Sequence, residues 1–224
     1  MKRVVFDIET LAFPFDNFDE VQQEYLLKFA DTEEKREQAL LQLNLYAPTA
    51  RIIAIGMFNP DTNQGKVLYQ SDVKEEYTSD DGKVGFVSGD EKEILEWFWT
   101  AIKHYDQFIT FNGRTFDCPF VMLRSAILGV VPSRNLVPYR YDAKIHCDLL
   151  DQLSFYAAVK KFNLDFYCKA FGIKSPKSEG ITGLDLGDLF RAGRYRDIAN
   201  YCIGDVIATG ELFNLWNKFL NIKD

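Results

Sequence analysis

Histidine is scarce in this chain, with two among 224 residues, and the four cysteines Cys118, Cys147, Cys168 and Cys202 form no C-x-x-C pair. That pattern excludes a zinc site built from paired thiols and imidazoles, and the thiols read as reduced groups in or near the core of a cytoplasmic protein. Long apolar runs are missing too. None approaches the roughly 20 residues that a membrane-spanning helix needs, so no membrane association is expected. The opening MKRVVFDIET has two basic residues, but its apolar stretch breaks at Asp7, which does not fit a secretion signal. Basic charge is also in deficit, with 26 Lys and Arg against 33 Asp and Glu, a formal net charge of -7. Such a chain does not coat nucleic acid through a generally basic surface. It can still grip a few nucleotides at one point, because a cluster of metal-binding acids itself adds negative charge that bound cations offset. Internal repeats and low-complexity tracts are absent as well.

Hydrophobic residues make up 47% of the chain, enough for a substantial core, and the length suits one α/β domain over residues 1–224. Residues 3–8 read as a short buried strand rich in β-branched side chains. Residues 19–45 instead show helical spacing of apolar positions, as one long helix or two with a break and a new cap near Asp31-Thr32. This segment is expected to be a helical insertion. Strands follow at 51–58 and 65–70, joined by the turn 59–63. Residues 71–89 show no clear period and read as a loop or an irregular hairpin. Asp90 caps an amphipathic helix, 107–111 is a fourth strand, 117–128 a helix, 145–149 a fifth strand, and 150–220 is mostly helical. The expected architecture is a mixed five-stranded sheet flanked by helices, for which a ribonuclease H-like layout is one solution.

Three acidic clusters stand out. Asp7 and Glu9 are two apart on a strand and so share one face, where two carboxylates repel unless solvated or joined by a cation. Asp117 follows the turn Asn112-Gly113-Arg114 and opens a helix, as either a cap or a site at the carboxyl end of a strand. Tyr201 and Asp205 are one helical turn apart, beside positions that look like core. Each cluster alone has an ordinary structural reading.

Together they resemble, in order, the three motifs of the DEDD superfamily of 3′–5′ exonucleases. These are D-x-E at Asp7 and Glu9, N-x-x-x-F-D at Asn112, Phe116 and Asp117, and Y-x-x-x-D at Tyr201 and Asp205. The last marks the tyrosine branch; neither His104 nor His146 sits where the histidine branch needs one. The segment His146-Cys147-Asp148-Leu149-Leu150-Asp151, the run from Asn163 to Gly172, and the helix from Arg191 to Asp205 are similar to the proofreading exonuclease domain of family B DNA polymerases. The resemblance implies a ribonuclease H-like fold and hydrolysis from a free 3′ end of nucleic acid, single-stranded DNA in the first instance. It also implies two divalent ions, Mg²⁺ or Mn²⁺, held by Asp7, Glu9, Asp117 and Asp205, with Asp7 bridging them. Tyr201 would orient the attacking water. Asn112, Phe116 and Arg114 would contact substrate, with Lys160, Lys161, Arg191, Arg194 and Arg196 as further phosphate contacts and Asp148 behind the acids. A protein partner in repair or replication is a further expectation. The alternatives are a catalytically silent binding module, or a related nuclease acting on RNA or at internal bonds.

Overall fold

Alternation in the first strand decides where the layers lie. In β1 (Arg3–Ala12), Val4, Phe6 and Ile8 point to one face and Val5, Asp7 and Glu9 to the other. The first set is buried with the helices α3 (Glu91–Ile102) and α4 (Asp117–Ile127); Val5 is buried with the long helix α8 (Tyr195–Phe219). The two carboxylates therefore face the α8 layer. The computed structural model describes residues 1–174, 180 and 182–222; positions 175–179 and 181, within the stretch expected to be helical, and the last two residues lie outside it.

On one side of β1 runs β2 (Ala50–Asn59), antiparallel to it, followed by β3 (Gln64–Gln70), antiparallel to β2; on the other side run β6 (Gln107–Thr110), parallel to β1, and β7 (His146–Asp148), parallel to β6. These five, in the order β3-β2-β1-β6-β7, are the strands expected from the sequence and have the ribonuclease H-like arrangement. The sheet is wider than expected, however, with seven strands among the described residues. The segment 71–89 supplies β4 (Glu76–Thr78) and β5 (Val84–Gly89), and β5 joins the edge of β3 in parallel. Tyr77 stacks on Phe86 at 4.6 Å, giving this short hairpin its own apolar contact.

The segment 19–45 forms α1 (Glu20–Leu26) and α2 (Glu33–Gln42), as the break near Thr32 implied. Asp19 and Thr32 cap them through the backbone N–H groups of Gln22 and Lys35. Asn44, just beyond α2, ties the segment to the end of β1, its carbonyl accepting from Thr10 Oγ1 at 2.7 Å and its Oδ1 from Ala12 N at 2.6 Å. Asp90 closes a reciprocal capping box with Glu93 at the start of α3. After β7 come α5 (Leu149–Leu153), α6 (Leu164–Ala170), α7 (Leu186–Arg191) and α8. No described helix is long and apolar enough to cross a membrane.

Two local devices bring α8 and β1 together. The β1–β2 register passes from Glu9↔Ala54 to Thr10↔Ile52, so Ile53 is an extra residue in β2 directly beside Glu9. Gly56, paired with Asp7, leaves room for α8: a Cβ there would lie 2.7 Å from Val206 Cγ2 and 3.0 Å from Cys202 Sγ. Any larger residue would push the helix off the strand.

Candidate active site

Asp7 and Glu9 project from the middle of β1, one strand repeat apart. Asp117 reaches them from the first turn of α4, where its Oδ1 accepts the backbone N–H of Ile8, between the two, at 3.0 Å. From α8, Tyr201 and Asp205 line the same cleft as Asp7. All four acids singled out in the sequence therefore meet where β1, α4 and α8 converge.

Their electrostatics follow from burial and crowding. Glu9 and Asp117 are buried and Asp7 is nearly so. Burial raises the pKa of Asp7, and the charges of Asp117, Glu9 and Asp205 raise it further. Glu9 is raised by burial and then by Asp205 and Asp117. Burial pushes Asp117 up to about 7, against the pull of its backbone hydrogen bonds and of its carboxyl contact with Asp7. Tyr201 is raised by burial, then by Asp205, Glu9 and Asp7, so its hydroxyl keeps its proton and is available as a donor.

Donor chemistry fits a hard divalent cation. Among the described residues, a group of side chains close enough to hold a metal ion is Asp7, Glu9 and Cys202, with one ligand atom of each within 4.8 Å of the others. Cys202 is the odd member. Burial and the neighbouring acids raise its thiol well above the ordinary value, and Sγ leans toward the Asp7 carbonyl at 3.8 Å. A thiol is a soft donor, whereas a hard divalent cation takes the carboxylate oxygens beside it, the donors Mg²⁺ and Mn²⁺ prefer.

The turn that delivers Asp117 is held by a second buried acid. Asp148, at the end of β7, accepts through Oδ1 from the backbone N–H of Asn112 and Leu150 at 3.0 Å each and of Asp151 at 3.4 Å, and through Oδ2 from Arg114 N at 2.9 Å. It thus caps α5 and fixes the 112–114 turn with the same carboxylate. Asn112 sits in the left-handed region at φ 63, and a Cβ on Gly113 would lie 2.5 Å from Thr110 Cβ, so the tight turn requires glycine.

The expected substrate contacts are placed unequally. Asn112 lines the cleft. Phe116 packs instead against the core and Phe120, with ring centroids 5.6 Å apart. Arg114 is not at the mouth of the site. It is buried, donating from Nη1 to the Pro138 carbonyl at 2.8 Å and lying 3.9 Å from Asp151. Among the basic candidates, Arg191 and Arg194 each pair with an acid at 2.5 Å, Asp188 and Asp197, and Arg196 pairs with Glu75 across to β4. Lining residues outside the motifs and the segments quoted with them are Phe111 and Phe162, which with Leu150 and Leu164 form an apolar wall to a cleft of about 430 Å³ that also carries Asp165. Phe111 precedes Asn112, and Phe162 precedes the cap of α6, so both lie next to segments the motifs did mark.

The sequence profile of a family described as predicted 3′–5′ exonuclease related to the exonuclease domain of PolB matches residues 44–224. The matched span covers Asp117, Tyr201 and Asp205 and begins after β1, the strand that carries Asp7 and Glu9. The chain is also similar to DNA polymerase 1 of Sulfurisphaera ohwakuensis, at 30% identity over 156 residues, 62% of this chain and 18% of that protein. DNA polymerase 1 of Saccharolobus solfataricus is 25% identical over 194 residues, 73% of this chain and 22% of that protein. The chain thus spans about a fifth of the length of the relatives it matches. With its mixed sheet, its convergent carboxylates and this profile, the chain belongs to the family of predicted 3′–5′ exonucleases related to the PolB exonuclease domain.

Proposed function

We propose that this protein is a divalent-metal-dependent 3′–5′ exonuclease of the DEDD type, tyrosine branch, that removes nucleotides from the end of single-stranded DNA by a two-metal mechanism. One observation carries the reading: Asp7, Glu9 and Asp117 are brought together largely out of water, and their described neighbours include no Lys, Arg or His in an ion pair with them. Burying like charges side by side costs several kcal/mol per group unless a cation offsets it. Asp7, Glu9, Asp117 and Asp205 would hold Mg²⁺ or Mn²⁺. When bound, such a pair of ions supplies a water of lowered pKa and neutralises charge at the leaving 3′ oxygen.

The chain's own residues do the rest. Tyr201 donates its hydroxyl proton in a hydrogen bond that orients the attacking water, a role its raised pKa supports. Asn112 offers a polar contact to the terminal nucleotide. Phe111 and Phe162 line the cleft and take the stacking role first expected of Phe116. Arg114, turned inward, positions the 137–140 loop rather than meeting phosphate. The apolar wall keeps bulk water from the scissile bond.

The test is a 5′-labelled single-stranded DNA oligonucleotide and its RNA counterpart, incubated with Mg²⁺, Mn²⁺ or EDTA. A ladder of shortening products that needs metal and disappears in Asp7→Ala is the expected result, with DNA the faster substrate. Cleavage that persists in EDTA or in Asp7→Ala would remove the metal assignment. Cutting of a circular strand would replace exonuclease with endonuclease.

A further inference from the structure

Beside the cleft, α5 ends in an unusual turn. Phe155, Tyr156 and Ala157 have φ of 48, 57 and 71, three successive non-glycine residues in the left-handed region. Each carries steric strain that the surroundings must hold in place. The holder is Ser154, fully buried, whose hydroxyl donates to the Leu150 carbonyl at 2.6 Å and accepts from Ala157 N at 3.1 Å. Tyr156 N donates to the Asp151 carbonyl at 2.7 Å.

The consequence is a row of aromatic rings on the outside. Phe155 is 60% exposed, and the Tyr156 ring lies 4.7 Å from Tyr141, which lies 5.6 Å from Tyr139. Tyr139 and Tyr141 are 74% and 58% exposed. Rings that large gain nothing for the core from such positions.

Positive charge joins this row to the cleft. Asp151, buried, has Arg140 on both its oxygens at 3.0 and 2.6 Å, Lys161 at 3.8 Å and Arg114 at 3.9 Å. Three cations meet one carboxylate there, and Arg140 and Lys161 remain well exposed. The neighbouring Asp148 is taken up by four backbone N–H groups. Next along the chain, Lys160 Nζ lies 5.1 Å from the centroid of the Phe162 ring, which itself lines the cleft. On a protein with net charge -7, this is a local excess of basic groups continuous with the candidate active site.

We propose that the face formed by Tyr139, Tyr141, Phe155 and Tyr156, linked to the cleft by Arg140, Lys160 and Lys161, is a track for the single strand that feeds the cleft. Bases stack on the rings, while phosphates meet the cations. This rests on the exonuclease reading and adds that the substrate is a single strand longer than the cleft itself holds, taken without regard to sequence because every base has a stacking face. A duplex, with its bases already stacked on each other, cannot use the rings.

The test compares the intact chain with the Tyr141→Ala/Phe155→Ala double variant on a 5′-fluorescein dT20 and on dT3, by anisotropy in EDTA and by hydrolysis in Mn²⁺. Stacking on this scale predicts a rise in Kd and KM for dT20 of about tenfold or more, with KM for dT3 moving less than twofold and kcat steady. Equal effects on the two lengths, or none on dT20, overturn the track. If the intact chain binds dT20 tightly but hydrolyses neither substrate, and the double variant weakens that binding, the nuclease reading falls and the track stands. Unchanged dT20 binding together with loss of a dimer in sedimentation would assign the rings to self-association and overturn the proposal.

Discussion

Two buried acidic regions of this protein are handled in opposite ways. Glu91, at the start of α3, is met by Arg124 of α4 with two hydrogen bonds of 2.8 and 2.6 Å, while its Oε1 also accepts Ile52 N at 2.8 Å. Arg124 spends a further N–H on the Ala47 carbonyl at 3.1 Å. The pair is closed, and it ties two helices to the sheet. On the opposite face, Asp7, Glu9 and Asp117 are packed against one another, and among the described residues no Lys, Arg or His forms an ion pair with them. The same fold therefore matches one buried carboxylate completely and leaves three others crowded. Crowding of this kind without a counter-charge is what the proposed metal site would account for.

Substitutions separate the two regions. Asp7→Asn removes one of the crowded charges and should lower kcat on the order of 10⁴-fold, the scale of losing one member of a catalytic unit. The same variant in EDTA should unfold at a higher urea concentration than the wild type, because a repulsive charge has gone. Arg124→Ala does the reverse. It strands Glu91 without a partner and should cost about 3–5 kcal/mol in urea unfolding, with kcat of the folded enzyme unchanged. A lower stability for Asp7→Asn than for wild type in EDTA would erase the contrast.

Asp148→Asn tests whether a matched acid can serve the site indirectly. The amide would set an N–H donor against one of the backbone donors now satisfied, costing about 1–3 kcal/mol. Because the 112–114 turn places Asp117, kcat should fall as well, which a purely structural loss would not produce once the protein is folded. The smallest expected effect is that of Gly56→Ala, whose Cβ meets Val206 and Cys202. Overpacking there should cost about 1–3 kcal/mol and reduce kcat several-fold, as α8 carries Tyr201 and Asp205 away from Asp7. Unaltered kinetics in this variant would show that α8 need not sit so close.

Much of this was legible in the sequence because the signals are local. The i, i+2 spacing of Asp7 and Glu9, the caps at Thr32 and Asp90, and the one-turn spacing of Tyr201 and Asp205 each depend on a few adjacent residues. What escaped depends on partners far along the chain. Residues 71–89 read as a loop or an irregular hairpin, and their place in the sheet as β4 and β5 comes from parallel pairing with β3. The bulge at Ile53 is a property of the β1–β2 register, not of either strand alone. Arg114 looks like any basic turn residue, and nothing nearby shows that Pro138 and Asp151 will draw it inward. Phe116, which the motif resemblance placed against substrate, packs toward the core while Phe111 and Phe162 line the cleft, a difference that depends on how α4 and α6 pack.

The most direct test of the central claim is urea unfolding of the intact protein from pH 5 to pH 8, with EDTA and with Mn²⁺. Asp117 has its pKa raised from an ordinary 3.8 to about 7 by burial, so the folded state binds more protons than the unfolded state between those values. Stability of the metal-free protein is therefore fully present below the lower value and should fall as pH rises toward about 7. Mn²⁺ binds the ionised acids, so it should abolish that fall and stabilise the protein more at pH 8 than at pH 5. Superimposable curves with and without Mn²⁺ would contradict the account, because acids crowded together to hold a cation would then gain nothing from one.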